Sequence, residues 1–315
     1  MRWILVALLS LNCAAVEPEE TYELRGAIRP EARASVTVFG ATMPFSVSTL
    51  TNGHGRFRVR ALARGTYTVS VFVPGMGEAR QTVEVGPGTA GAGHRVEVTL
   101  EFKESDFALR DSLRRRHSVT AKQLAIPEKA LREFEQAQKD LTHRDAEGSA
   151  RHLERAVEIA PQFANAWNTL GTIHYQERRF AQAEECFRRS LEEDPQAYEP
   201  LVNLGGVLVT VRKADEALDY NLHAVLVRPG DALANSQLGM TYFQLRRFDQ
   251  ALLYLERARQ IDPAHFSHPQ LPLAEIYARR GDRTRAADTL EDFLQHHPDW
   301  PQAGQLRVSI DKLRN

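Results

Sequence analysis

In this chain of 315 residues the side chains able to hold a metal or attack a substrate are few and poorly grouped. His265 lies close to His268, and His296 and His297 stand near Asp299, so both places offer ligand types. Both are expected in loops between helices, and no glutamate-bearing zinc motif accompanies them. Ligand spacing without a supporting second shell is weak ground for a metal. Cys13 and Cys186 are the only cysteines, which excludes a site built on paired thiolates. Removal of the N-terminus would leave one thiol and no intrachain disulfide. Cys186 falls between Ala183 and Phe187 on a packing phase, where a thiol behaves as a small hydrophobe rather than a nucleophile. The run GPGTAGAG at 86–93 has strand patterns on both sides and neither a helix nor a lysine after it, so it is no phosphate loop. No paired acid and base seed a reaction. The expectation is no catalytic residue, no metal and no cofactor.

One group has binding character instead. Arg56, Arg58 and Arg60 alternate with Phe57 and Val59, which puts the guanidinium groups together on the wet face of one strand, with His54 and Arg64 nearby. Such a strip can hold a sulfated or phosphorylated polymer; it equally serves as a solvated face that discourages edge pairing. The overall charge of −1, with 26% charged residues, gives no general affinity for nucleic acid.

Three kinds of pattern divide the chain. Residues 1–20 begin with Arg2, continue as an apolar run from Trp3 to Leu11, and reach the small residues Cys13, Ala14 and Ala15 before an acidic stretch. That is the layout of a secretory signal with cleavage after Ala15, too short to cross a bilayer as a helix. It implies an extracytoplasmic location, in the periplasm, the cell envelope or the medium. Membrane association follows only if Cys13 carries lipid, for which Ser10-Leu11-Asn12 is a poor lead.

Residues 21–102 alternate with a period of two through Val36 and Val38, Phe57 and Val59, Tyr67, Val69 and Val71, and Val96 to Phe102. Turn signals separate these runs, which predicts a β-sandwich of about seven strands. Tyr67 belongs to its core. Gly26, Val36-x-Val38, Thr51-Asn52 with Gly55-x-Phe57, and Leu62-x-x-Gly65-x-Tyr67 resemble the carboxypeptidase regulatory-like (transthyretin-like) domain. In that family the domain is a non-catalytic companion to another module, and the name implies no peptidase. Residues 103–127 read as a hydrated linker around Arg114, Arg115 and Arg116, and Pro127 marks the next helix start.

From residue 128 the period becomes 34. Pro161, Pro195, Pro229 and Pro263 keep it and Pro298 follows one residue late; Gly171, Gly205 and Gly239 repeat with it, as do Leu170, Leu204 and Leu238. A period of this size marks helical repeats that must stack to bury their apolar faces. The words around each proline resemble the tetratricopeptide repeat (TPR). Small residues recur where paired helices approach, and each proline stops a unit's second helix. Five units are expected, at 128–161, 162–195, 196–229, 230–263 and 264–298, with Pro269 and Pro272 delaying the last unit's first helix. Residues 299–315 form a capping helix on Leu306, Ile310 and Leu313. The predicted chain is thus multidomain α and β: a sandwich followed by an α-solenoid.

The resemblance places function on the concave side, lined by each unit's first helix. Helical phase assigns to it Asn165, Asn168, Thr172, Tyr175 and Gln176; then Glu199, Val202, Gly206, Val209 and Thr210; then Leu233, Ser236, Met240, Phe243 and Gln244. Members that grip an acidic C-terminus do so with basic residues at these phases, and those are missing here. The groove is therefore expected to take an apolar or amide-rich protein or peptide segment, in a non-enzymatic exported scaffold. The alternatives are that Tyr175, Met240 and Phe243 pack only against neighbouring helices, and that the sandwich binds envelope carbohydrate with the array as support. Oligomeric state is not legible.

Overall fold

The computed structural model describes residues 20–74, 77–101 and 125–315. The expected leader with Cys13, and nearly all of the linker, lie outside the described residues.

The alternating segment forms seven strands: β1 (Thr21–Arg29), β2 (Ser35–Gly40), β3 (Ser46–Leu50), β4 (Arg56–Ala63), β5 (Gly65–Val73), β6 (Gly77–Val85) and β7 (Arg95–Glu101). They make two sheets, ordered β4-β1-β7 and β3-β2-β5-β6. The β1–β7 pair is parallel and the others are antiparallel. One face of every strand feeds a core built on Leu24, Ile28, Val36, Val38, Leu62, Tyr67, Val69 and Val71. The Tyr67 hydroxyl stays satisfied there by donating to the Ala63 carbonyl at 2.9 Å.

The family motif has a physical reading. The Phe57 ring lies over Gly26 on the paired strand, where a Cβ would stand 1.9 Å from it. The Thr51 hydroxyl donates to the Ala32 carbonyl and accepts from the Ala34 amide. The Asn52 side chain accepts from the His54 and Arg56 amides, and Gly55 turns the chain at φ +65°. Thr51, Asn52 and Gly55 thus shape the turn before β4, Gly26 clears space for Phe57, and Val36, Val38, Leu62 and Tyr67 fill the core.

The remaining described residues form eleven helices. They run in pairs: α1 (Glu128–Thr142) with α2 (Ala146–Ile159), α3 (Ala164–Gln176) with α4 (Phe180–Glu193), α5 (Tyr198–Thr210) with α6 (Ala214–Val227), α7 (Ala232–Gln244) with α8 (Phe248–Ile261), and α9 (Gln270–Arg279) with α10 (Arg283–His296). The single helix α11 (Ala303–Arg314) ends the array, with Leu306, Ile310 and Leu313 packed on the last pair. Among the described residues no helix is long and apolar enough to cross a membrane.

The period is written into the backbone. Arg144, Arg178, Arg212 and Arg246, at the turn inside successive pairs, all have φ between +58° and +64°, and Gly281 takes the same role at +77° in the last. Close approach needs the recurring glycines: a Cβ on Gly171 would stand 2.7 Å from the Phe187 ring, and one on Gly239 2.6 Å from Leu255. The carbonyl of the period proline is held by a side-chain donor from the next helix: Trp167 to Pro161, Asn235 to Pro229 and Gln270 to Pro263, at 2.7–2.9 Å. The extra residue of the last unit sits in the loop before α9, which starts after Pro269 and is three residues shorter than α7.

Candidate functional site

The residues at the site come from both halves of the chain. The sandwich lies against the side of the array lined by α3, α5 and α7, and the contacts run from the first helix pair to the last. Arg144 Nη2 donates to the Ala61 carbonyl at 3.0 Å, and Gln176 Nε2 to the Gly40 carbonyl at 2.9 Å. Further along, strand β6 is gripped residue by residue. Arg228 pairs with Glu78 at 3.2 Å and with Glu199 at 3.3 Å, and Arg80 reaches Glu199 at 3.0 Å. The Thr82 amide donates to Asp262 Oδ2 at 2.9 Å, His297 Nδ1 hydrogen-bonds to Glu84, and the Gly88 amide donates to Asp299 at 3.0 Å.

These contacts answer a need of the strand. β6 ends its sheet, so the backbone groups on its outer side have no neighbouring strand to pair with. The Asp262 carboxylate takes the place of that missing acceptor at Thr82, where both residues are buried. Alternate side chains along a strand point to one face, which brings the Glu78 and Glu84 carboxylates to the array together, while Thr82 meets it through its outward backbone amide. The glycines after β6 permit the last contact, since a Cβ on Gly86 or Gly88 would stand 2.6–2.7 Å from the Asp299 carboxylate.

The charges are tightly arranged. Burial on its own would raise the Glu78 carboxyl, but the Arg80 and Arg228 guanidinium groups and the Ser70 hydroxyl outweigh it and hold it down to about 2. Arg228 also lies over the Tyr198 ring, 4.0 Å from its centroid. Beyond this cluster, His265 and His268 are pushed down to about 3, first by burial and then by the charge of His297. His268 packs edge-on against Phe293, His297 and Trp300. Among the described residues no three His, Cys, Asp or Glu side chains are placed to share an ion. Cys186 is buried in the array core, and burial followed by the charges of Glu185 and Glu154 pushes its thiol up to about 12.

A cleft of about 1470 Å³ remains between the two halves. Its sandwich wall carries Gly40 from the end of β2 and Arg80, Thr82, Thr99 and Glu101 from β6 and β7; its array wall carries Thr172, Tyr175, Asn203, Val209, Gln237 and Met240. The groove expected to stand open to solvent is therefore roofed by the chain's own sandwich. The cause is the pairing of an unfinished sheet edge with a complementary row of charges, which the array sequence alone does not announce.

The predicted groove residues divide into three groups. Thr172, Tyr175, Gln176, Val209, Ser236 and Met240 line the cleft, with Gly206, Thr210 and Leu233 beside them. Tyr175 is exposed, its hydroxyl 3.2 Å from that of Thr210, while Ser236 is buried and accepts from Ser267. Asn168, Phe243 and Gln244 spend their side chains on neighbouring helices: Asn168 accepts from Asn203, Phe243 packs edge-on against Phe248, and Gln244 donates to the Val209 carbonyl. Val202 is buried in the array core, and Asn165 is exposed away from the cleft. Arg56, Arg58 and Arg60 are exposed on β4 with Phe57 and Val59 buried between them, and Arg58 stands opposite Arg25 on β1.

Arg80, Arg228, Asp262 and His297 are site residues that helical phase does not reach. A signal existed for three of them. Arg228, Asp262 and His297 each stand one position ahead of a period proline, outside the helices from which a groove is usually read.

Residues 26–101 match the model of the carboxypeptidase regulatory-like domain. Residues 164–197, 203–265 and 242–310 match tetratricopeptide repeat models. Anaphase-promoting complex subunit 3 of Schizosaccharomyces pombe is 22% identical over 147 residues, covering 47% of this chain and 22% of that protein. The human cell division cycle protein 16 homolog is 29% identical over 117 residues, covering 34% and 19%. The chain thus spans about a fifth of the length of these curated relatives. Among solved structures, that of PilW, a widely conserved type IV pilus biogenesis factor, superposes with a TM-score of 0.52 at 21% identity, covering 59% of this chain and 86% of that one. Likeness at this level is likeness of fold.

Proposed function

Starting from a chain that joins a carboxypeptidase regulatory-like domain to tetratricopeptide repeats, we infer that it is a protein-interaction scaffold whose binding site is the cleft between the two. The ligand is an extended segment of a partner polypeptide. The observation that carries this reading is the composition of the cleft wall. Tyr175, Val209, Leu233 and Met240 give it an apolar floor, and Gln176, Asn203 and Gln237 set amides around that floor. The Gln237 Oε1 atom is buried and accepts no hydrogen bond. An extended backbone supplies donors and acceptors at regular spacing along such a surface, and its side chains enter the apolar pockets between them. The carboxylate grip of chaperone adaptors needs a basic row that these phases lack.

The test is selection of peptides from a displayed random library by the full chain. Binding of the selected peptides is expected to fall at least tenfold on Met240→Glu, which puts an unpaired charge on the apolar floor, and to survive Leu253→Glu on the exposed side of α8. Equal loss from both, or from neither, would contradict the cleft assignment. Export is part of the same proposal and rests on the layout of residues 1–15; an intact Met1 on the native protein would remove it.

A further inference from the structure

The residue ahead of each period proline recurs once per unit, and in three consecutive units it meets β6. Arg228 takes the carboxylate of Glu78, Asp262 takes the amide of Thr82, and His297 takes the carboxylate of Glu84. These positions lie where the second helix of one unit hands over to the next, so they are spaced along the array by its own repeat. Their strand partners are even-numbered residues, all on the free side of a sheet edge. A repeating surface and an extended chain have thus come into register.

We propose that Arg228, Asp262 and His297 form a strand-reading surface whose built-in occupant is β6, and that release of β6 opens the cleft to the partner. The surface selects an extended strand with carboxylates at positions i and i+6 and a free outward amide at i+4, as Glu78, Thr82 and Glu84 provide. Glu199 and Arg80 extend the first rung, because Glu199 accepts from both Arg80 and Arg228. Asp299 closes the far end on Gly88. These contacts are hydrogen bonds and ion pairs. The pairs are largely buried, so the loss of each on release is offset only when both partners regain water together. A partner strand that offers the same pattern competes for the same three residues.

Hydrogen exchange on the full chain tests this without any ligand, so its failure would leave the cleft reading standing. The Thr82 amide reports the docked state, and the Val69 amide, inside the β2–β5–β6 pairing, reports the fold of the sandwich. Arg228→Ala and His297→Ala leave the Asp262 acceptor in place. Each is expected to speed Thr82 exchange at least tenfold with Val69 unchanged, because loss of one rung loosens the others. Asp288→Ala, on a pair with Arg314 remote from β6, is expected to change neither. If only Asp262→Ala speeds Thr82, the rungs act separately and the surface is overturned. A second measurement addresses opening. In a Cys13→Ala background, alkylation of a thiol placed by Met240→Cys is expected to run at least tenfold faster with Arg228→Ala than without it, Cys186 being buried; equal rates would overturn the gating.

Discussion

His265 and His268 show how burial, not chemistry, governs the titratable groups here. As bare residue types near one another they invite a metal; in the fold they are packed groups whose ionisation is held down to about 3 by burial and by neighbouring His297. The sign of the consequence is fixed. A folded value below the ordinary one means that the unfolded chain binds more protons in the interval, so stability is present above about pH 6.5 and is lost as pH falls toward about 3. Glu78, held at about 2, acts with the same sign in a lower window, from about 4.5 downward. Urea midpoints measured across that range are expected to fall with acidity. His268→Asn, which suits the positive φ of +52°, is expected to flatten the slope between pH 6.5 and 4 whatever it does to the midpoint at pH 7. An unchanged slope would show that His268 already binds its proton in the folded state. Cys186 was readable from its phase, since it stands three residues after Ala183 and beside Phe187 on the packed face of its helix.

At the scale of elements the helices were legible because their apolar residues recur with two periods at once, one of a helix turn and one of a unit. The deviations are more informative than the matches. Asn221 occupies the phase of Phe187 and Leu255, and Thr241 that of Ile173 and Val207, so two core positions of neighbouring units have turned polar together. They face each other: Asn221 Nδ2 donates to the Thr241 hydroxyl at 2.9 Å, in full burial. Thr241→Val should cost about 1–3 kcal/mol by stranding the amide. Asn221→Leu with Thr241→Val should be neutral or stabilising, since Leu255 already fills the equivalent space over Gly239. Thermal unfolding of both variants measures this, and a double variant less stable than the single would contradict the pairing. The strands β2, β4, β5 and β7 were legible from alternation, while β1, β3 and β6 carried no run that was singled out. Their order in the sheets was not, because a period of two fixes which face is buried and says nothing of which strand lies beside which. The late start of α9 follows Pro269, whereas Pro272, also expected to delay it, sits in its first turn, where a missing amide donor is harmless.

For the whole molecule the sequence carried the two architectures and missed their union. Thr172, Tyr175, Gln176, Val209, Ser236 and Met240, grouped by helical phase, lie on one wall of the cleft, whereas Asn168, Phe243 and Gln244 meet neighbouring helices. Helical phase could not foresee that the facing wall would be the edge of β6. Docking depends on the match between Glu78, Thr82 and Glu84 on one segment and Arg228, Asp262 and His297 on another, 150–213 residues away, and no local pattern joins them. The contacts along β6 hold the sandwich at one position across the array. Spin labels at Leu50→Cys and Leu253→Cys, both exposed, measure that position in a Cys13→Ala background, with Cys186 buried and unlabelled. A single narrow distance distribution in the native chain, broadened by Arg228→Ala with Asp262→Ala and His297→Ala, is the expected result; a broad distribution in the native chain would contradict it.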